Sequence, residues 1–169
     1  MKFNKVLLAA AISLGMASAA QANTGQFNFK GTVADTPCSI MPGALDKDFD
    51  FGILSQASLN DGGKSYAVSN TIQLSNCSVA TQDTATFAFA GTVGHKAGVF
   101  DATGVDNLGI ELSLNNQPIA PNSTIDHKLH NGDNTLTFEA VAVGADDGTA
   151  DPVGLGVFNS VATFAITYS

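Results

Sequence analysis

The sequence contains no tryptophan and no arginine, and it has only two cysteines and two tyrosines in 169 residues. Seven lysines stand against 15 acidic residues, so the formal charge is −8 at pH 7. Nucleic acids and anionic lipid surfaces require a basic footprint, so this balance argues against both as partners. With no Trp and only Tyr66 and Tyr168, the sequence also shows no aromatic platform for a carbohydrate.

The N-terminal residues have the features of a secretory signal peptide. Two lysines supply a positive start, residues 6–17 are apolar, and a small-x-small sequence ends at Ala22. A membrane-spanning helix needs about 20 apolar residues, and neither this run nor any later one is that long, which predicts no membrane insertion. We therefore expect cleavage after Ala22; cleavage after Ala20 and a retained anchor are the alternatives. Residues 23–169 carry five lysines and 15 acidic residues, a formal charge of −10.

The two cysteines, Cys38 and Cys77, are predicted to form one disulfide. An exported chain folds in an oxidising compartment, where two cysteines pair most simply with each other. The bond closes a loop of about 39 residues, and the entropic model gives roughly 3 to 4 kcal/mol of stabilisation. A reactive thiol and half of a metal site are the alternatives, but neither cysteine has basic or His neighbours in the sequence.

The remainder of the chain is predicted to be all β. Short runs rich in Val, Ile, Thr and Phe recur every 10 to 15 residues or so, separated by Gly, Asn, Asp and Pro, which is typical of an antiparallel sandwich. The predicted strands cover residues 23–34, 47–54, 66–77, 84–93, 108–114, 135–143 and 156–169. Residues 91–107 and 121–133 are predicted to be connections.

The first predicted strand carries an apolar face. Small or apolar residues alternate with polar ones, so one face of an extended strand would present Gly25, Phe27, Phe29, Gly31 and Val33. A face with two Phe has to be buried, either in the core of its own chain or in that of another molecule.

No constellation of catalytic residues stands out. The nucleophile motif Gly-x-Ser-x-Gly is missing, and His95, His127 and His130 lie in Gly- or Asn-rich stretches that are typical of surface histidines. Residues 46–57 fail as a calcium loop of the EF-hand type, because the Gly falls at the seventh position and the twelfth residue is Ala. We predict no enzymatic activity, no cofactor and no metal site, and leave open whether the acidic loop 145–152 holds an ion.

Stretches in the N-terminal half resemble one protein family. Residues 29–33, followed by Cys38, are similar to an N-terminal extension and first strand, and residues 50–52 (Asp-Phe-Gly) are similar to a hydrophobic-Gly motif after the first cysteine. Cys77 lies at the position of the second cysteine of the family's disulfide. The family comprises the subunits of pili built by the periplasmic chaperone and outer-membrane usher of Gram-negative bacteria, in particular type 1 pilin-like major and minor subunits.

The C-terminal half carries the more specific part of the resemblance. Residues 136–144 are similar to the penultimate strand of such pilins. Gly156 is fourteenth from the end, alternating apolar residues follow it, and Tyr168 is penultimate. No adhesin-type second domain is recognisable, which favours a shaft or adaptor subunit over a tip adhesin.

The resemblance implies an incomplete immunoglobulin-like β-sandwich that lacks its last strand and so has a groove along its core. Residues 1–22 would be the signal peptide, residues 23–34 the extension or donor strand, and residues 35–169 the pilin body. A chaperone strand would pair with the C-terminal strand at Gly156, Phe164, Ile166 and Tyr168. At the usher, the extension of the next subunit would replace it by donor-strand exchange, building a fimbria on the cell surface that contributes to adhesion.

Two other functions are also compatible with the sequence alone. A self-contained secreted β-sandwich that binds a carbohydrate or protein ligand would keep its first strand within its own core. An exported hydrolase would have to use one of the three histidines in a site that the sequence does not reveal.

Overall fold

The computed structural model describes residues 24–146 and 152–169, and the chain divides after Ala34 into two units. The predicted signal peptide lies outside the described residues, as do Asp147 and Asp151 of the predicted acidic loop. In the first unit, residues 24–34 are exposed and belong to no sheet. The alternation there predicted a strand, but a β-strand exists only when its backbone groups pair with a partner.

The described part of the second unit, which begins at Asp35, forms nine β-strands and one short α-helix. In chain order these elements are β1 (Ser39–Ile40), α1 (Gln56–Leu59), β2 (Val68–Cys77), β3 (Thr84–Ala90), β4 (Phe100–Asp101), β5 (Leu108–Leu114), β6 (Gln117–Ile119), β7 (Thr124–Lys128), β8 (Gly132–Gly144) and β9 (Thr163–Tyr168). The helix is too short to span a membrane, and no longer one occurs within the described ranges.

The strands form two antiparallel sheets. The larger has six strands in the order β1-β2-β8-β5-β4, with β6 also paired to β5. The smaller has three strands in the order β7-β3-β9. Strand β8 lies between β2 and β5, so that Leu136 is opposite Ile72 and Ala142 is opposite Ile110.

The core lies between the two sheets, as expected for a sandwich whose strands alternate apolar and polar residues. Its centre is a cluster of phenylalanines from both sheets, Phe87, Phe89, Phe138 and Phe164. Phe138 comes from the larger sheet, and its ring centroid lies 6.1 to 6.3 Å from those of the other three.

The disulfide predicted from the cysteine count is present. Cys38 and Cys77 are bonded and buried, beside the pairing of β1 with β2. The Ser78 amide donates to the Pro37 carbonyl oxygen at 2.9 Å, so the two chain segments also join through the backbone next to the bond.

Strands β2, β3, β5, β8 and β9 confirm the predicted strands, with β5 matching at both ends. The prediction of a connection over residues 121–133 was wrong, because β7 lies within it and pairs with β3. Strand β7 has a single buried residue, Ile125, among polar neighbours, so its apolar alternation is too weak to predict a strand. Residues 47–54 form no strand, and the last predicted strand begins seven residues late, at Thr163.

Candidate functional site

An apolar groove runs along the second unit between two chain segments. One wall consists of residues 45–51, called here the loop wall, and the other of residues 158–164, which lead into β9. The cavity between them has a volume of about 760 Å³. Its floor is made by core residues of both sheets: Ile72, Phe89, Phe100, Ile110, Leu112, Phe138 and Ala140.

Strand β9 is the edge strand of the smaller sheet at this groove. It pairs with β3, with Ile166 opposite Phe87, and within the described residues no strand pairs with its other edge. Phe164, Ile166 and Tyr168 alternate with exposed residues but are only half-buried themselves. An edge of this kind presents unpaired N–H and C=O groups and is a template for another strand.

The loop wall is not part of a sheet. The sequence predicts Phe49, Phe51 and Ile53 on one face of a strand here. Phe51 is buried and Phe49 half-buried, with Asp48 and Asp50 exposed between and before them, but Ile53 is fully exposed, so the alternation holds only over residues 48–51. Two side chains from the β2 region hold this wall. The Tyr66 hydroxyl donates to the Phe51 carbonyl oxygen at 2.5 Å.

The second contact comes from β2 itself, where the side-chain amide of Asn70 donates to the carbonyl oxygen of Asp48 at 2.8 Å. Neither Tyr66 nor Asn70 was among the predicted site residues. Hydrogen bonds from side chains to the backbone of an irregular segment leave no periodic signal in a sequence, so this pattern was not accessible to sequence analysis.

A smaller cavity of about 440 Å³ adjoins the groove and shares residues 49–51 and Phe158 with it. Where the two cavities meet, the rings of Phe51 and Phe158 lie 6.0 Å apart. Gly156 lines the smaller cavity with φ +150°, a conformation that favours glycine. The sequence analysis grouped Gly156 with the C-terminal strand, but it precedes β9 by seven residues and is not paired in it.

Tyr168 carries an unsatisfied polar atom. Within the described residues, its hydroxyl is the one buried side-chain polar atom without a hydrogen-bond partner. Burial raises the pKa of this phenol, since desolvation disfavours the phenolate. An unsatisfied buried hydroxyl is costly, so a group that bonds to it on binding would gain affinity.

The predicted donor residues present their apolar side chains to solvent. Phe27 and Phe29 are 86% and 90% exposed, and Val33 is fully exposed. The rings of Phe27 and Phe29 lie 6.5 Å apart, as expected for residues on the same side of an extended chain. A Cβ atom added at Gly25 or Gly31 would meet nothing within 4 Å in this single chain.

The three histidines do not gather into a site. His127 is on β7, opposite Ala85 of β3, and desolvation, with repulsion from His130, lowers its pKa. His95 lies near Gly109, on the larger sheet. Within residues 24–146 and 152–169, no three His, Cys, Asp or Glu side chains come close enough to hold a metal ion.

An unpaired strand edge beside an apolar groove can bind an extended segment. The backbone of the segment pairs with the edge, and its alternate side chains enter the groove, which is the arrangement known as β-augmentation. The fold and the groove therefore define a β-sandwich with an edge strand that is open to another strand within the described residues.

Comparison with known proteins identifies the family. The family model described as "Fimbrial protein" matches residues 27–169. The "Fimbria A protein" of Serratia marcescens is 33% identical, with 99% of each chain covered. The major MR/P fimbria protein of Proteus mirabilis is 32% identical, again with 99% of each chain covered. The chain belongs to the fimbrial protein family.

Solved structures agree with this assignment. A subunit in the structure of a chaperone-usher pilus, determined to explain rod uncoiling, matches with a TM-score of 0.75 and 30% identity, covering 87% of this chain and 96% of that one. The P pilus rod subunit PapA matches with a TM-score of 0.68 and 30% identity, covering 79% and 100%. The chain is thus a structural fimbrial subunit, exported to the cell surface, and its partners are other pilus subunits. A self-contained secreted binding module is not favoured.

Proposed function

We propose that the groove binds the N-terminal extension of a neighbouring copy, so that subunits polymerise head to tail by donor-strand exchange. The observation that carries this proposal is the edge of β9, which no strand among residues 24–146 and 152–169 pairs with, beside an apolar groove. Such contacts join two different surfaces and do not close on themselves, so they build a filament.

The extension has the chemistry that this groove requires. Gly25, Phe27, Phe29, Gly31 and Val33 recur at every second position, and their neighbours are polar. Burying the three large side chains gives very roughly 5 to 9 kcal/mol of gross apolar stabilisation. Pairing with β9 adds a ladder of backbone hydrogen bonds, and Gly31 lets two backbones approach closely.

The same edge requires protection before assembly. We expect a strand of the periplasmic chaperone to pair with β9 at Phe164, Ile166 and Tyr168 until the usher exchanges it for the next extension. Gly156, which lies outside β9, would contact the incoming strand only through the smaller cavity.

The domain organisation follows from this mode of assembly. Residues 1–22 would direct export and be removed, residues 23–34 would form the donor strand, and residues 35–169 the body that accepts one. The chain acts by assembly rather than by catalysis, and no reaction is assigned to it. As part of a fimbria, it contributes to adhesion of the cell.

Substitution of Phe29 tests the donor role. Phe29→Asp places a charge on the apolar face and is expected to abolish filament formation, while export and chaperone binding persist. Asn28→Asp is the matched control, because it adds the same charge at the neighbouring position on the polar face. Filaments are counted by electron microscopy, and the periplasmic chaperone complex is measured by co-purification. Normal filaments from Phe29→Asp would remove the extension from the mechanism.

A further inference from the structure

We propose that Tyr66 and Asn70 are positioning residues that hold the loop wall and thereby set the rate at which the groove admits and releases a strand. This inference rests on the proposed function, because it concerns how the same groove opens.

The two walls of the groove are held in different ways. Strand β9 is joined to β3 by a continuous register from Thr163 to Tyr168. Within the described residues, by contrast, the hydrogen bonds from Tyr66 to Phe51 and from Asn70 to Asp48 are the only ones that join the loop wall to the rest of the fold. Opening the loop wall therefore breaks two hydrogen bonds and uncovers Phe49 and Phe51, whereas moving β9 disrupts a whole ladder.

The floor of the groove is almost completely covered, although the cavity above it has a volume of about 760 Å³. Ile72, Phe138 and Ala140 line it, yet each is at most 4% exposed. We therefore expect a phenylalanine side chain of an incoming strand to reach these residues when a wall moves outward, and the wall to close again once the strand is seated. Moving the loop wall breaks fewer hydrogen bonds than moving β9.

Tyr66 acts where the groove meets the smaller cavity. The residue whose carbonyl it binds, Phe51, packs against Phe158 where the groove and the smaller cavity meet. A nine-residue strand such as residues 25–33 extends for roughly 30 Å, at about 3.3 Å per residue. A strand that extends from the groove into the smaller cavity has to pass the Phe51–Phe158 contact, and the Tyr66 hydroxyl resists displacement of the loop wall at that point.

The experiment measures strand binding in both directions. The full chain is refolded at low concentration with a fluorescent peptide of residues 24–34, and association is followed. Release is then followed after addition of excess unlabelled peptide. Tyr66→Phe and Asn70→Ala each remove one bond to the wall. Thr71→Ala is the matched control, since Thr71 is an exposed residue of the same strand and its side chain lies on the opposite face from that of Asn70.

We expect each substitution to accelerate association and release by the same factor of about five, which corresponds to one net hydrogen bond. The double variant is expected to be about 25-fold faster in both directions, with the affinity unchanged. The reason is that the bonds hold the wall closed in the free and in the bound state alike. Thr71→Ala is expected to match the unsubstituted chain.

Hydrogen exchange separates this role from a general loss of stability. Amides of residues 45–52 are expected to exchange faster in Tyr66→Phe by a larger factor than those of β8, because the wall opens locally; global destabilisation alone would accelerate both by the same factor. Unchanged rates in both variants, or faster release with unchanged association, would overturn the inference alone. Failure of the unsubstituted chain to bind the peptide would overturn the proposed function, and the inference with it.

Discussion

Strands β8 and β9 have the same alternation of apolar and polar residues but differ in what surrounds them. In β8, Leu136, Phe138 and Ala140 are buried, and both edges of the strand are paired, by β2 and β5. In β9, Phe164 and Ile166 are half-buried, and pairing within the described chain is limited to one edge.

The difference shows that apolar periodicity alone does not decide how deeply a strand is buried. The apolar face of a strand needs a covering layer, and each edge needs a partner. Strand β8 obtains both from its own chain. Strand β9 obtains one partner from its own chain, and the proposed function assigns the other to a neighbour.

The most direct way to break this comparison is to truncate one phenylalanine in each strand. Phe138→Ala is expected to lower the free energy of unfolding by about 3 to 5 kcal/mol, as is usual for a fully buried aromatic residue. Phe164→Ala is expected to cost less in the free chain, because its side chain is already partly in water, and more once a peptide of residues 24–34 is bound. Urea denaturation with and without the peptide measures both.

An equal cost for the two substitutions, independent of the peptide, would show that β9 is as complete a core strand as β8. The difference between the two strands would then have no functional meaning.

Removal of the disulfide is expected to have the next largest effect. Replacing Cys38 and Cys77 together by Ser is expected to lower the free energy of unfolding by roughly 3 to 4 kcal/mol, the entropic value for a loop of about 39 residues. The bond belongs to the larger sheet, and neither cysteine lines the groove, so the loss is expected to be the same with and without the peptide. Thermal melts of both forms test this, and a loss that the peptide reverses would contradict it.

Removing the hydroxyl group of Tyr168 and removing that of Tyr66 are expected to change the free energy of unfolding in opposite directions. Tyr168→Phe removes a buried hydroxyl that has no partner among the described residues, so the free chain is expected to be unchanged or more stable by about 1 kcal/mol. Tyr66→Phe removes a bonded hydroxyl and is expected to destabilise by about the same amount. Denaturation of the two variants side by side measures the difference. Destabilisation by Tyr168→Phe would indicate that its hydroxyl has a partner after all.

The smallest expected effect is a pH dependence of the free energy of unfolding. It arises from His127 on β7, at the edge of the smaller sheet opposite β9. Burial first, and then repulsion from His130, lower the pKa of His127 in the folded state. The unfolded chain then binds a proton more readily, so stability is full above the ordinary His pKa of about 6.5 and falls as the pH drops below it. Urea denaturation at about pH 7.5 and 5.5 measures this dependence. His127→Asn is expected to reduce it; an unchanged dependence would assign it to other groups.

Most of the sandwich could be predicted from the sequence because its long strands are regular. Residues 108–114 have four Leu or Ile at alternate positions, and β5 covers the same residues. Strand β7 was missed because it lies at an edge and buries one apolar residue, and residues 48–51 alternate without pairing. Edges and irregular walls are determined by which segments meet in space, and local periodicity carries no information about this.

The candidate site shows the same limits. Phe164, Ile166 and Tyr168 were predicted from the resemblance and line or adjoin the open edge, whereas the groove floor combines residues from five strands that are far apart in sequence. The role of Gly25 to Val33 stays a prediction, because a donor strand acquires its structure only in another subunit.

The way in which the loop wall is held bears on how such subunits diversify. A backbone ladder is common to every sequence that adopts the fold, and a single nucleotide change rarely removes it. The hydrogen bonds from Tyr66 and Asn70, in contrast, each depend on one side chain, so a mutation in a single codon removes either of them. With the role proposed for these bonds, point mutations in the two codons change the rate of filament growth, while the fold of the subunit stays the same.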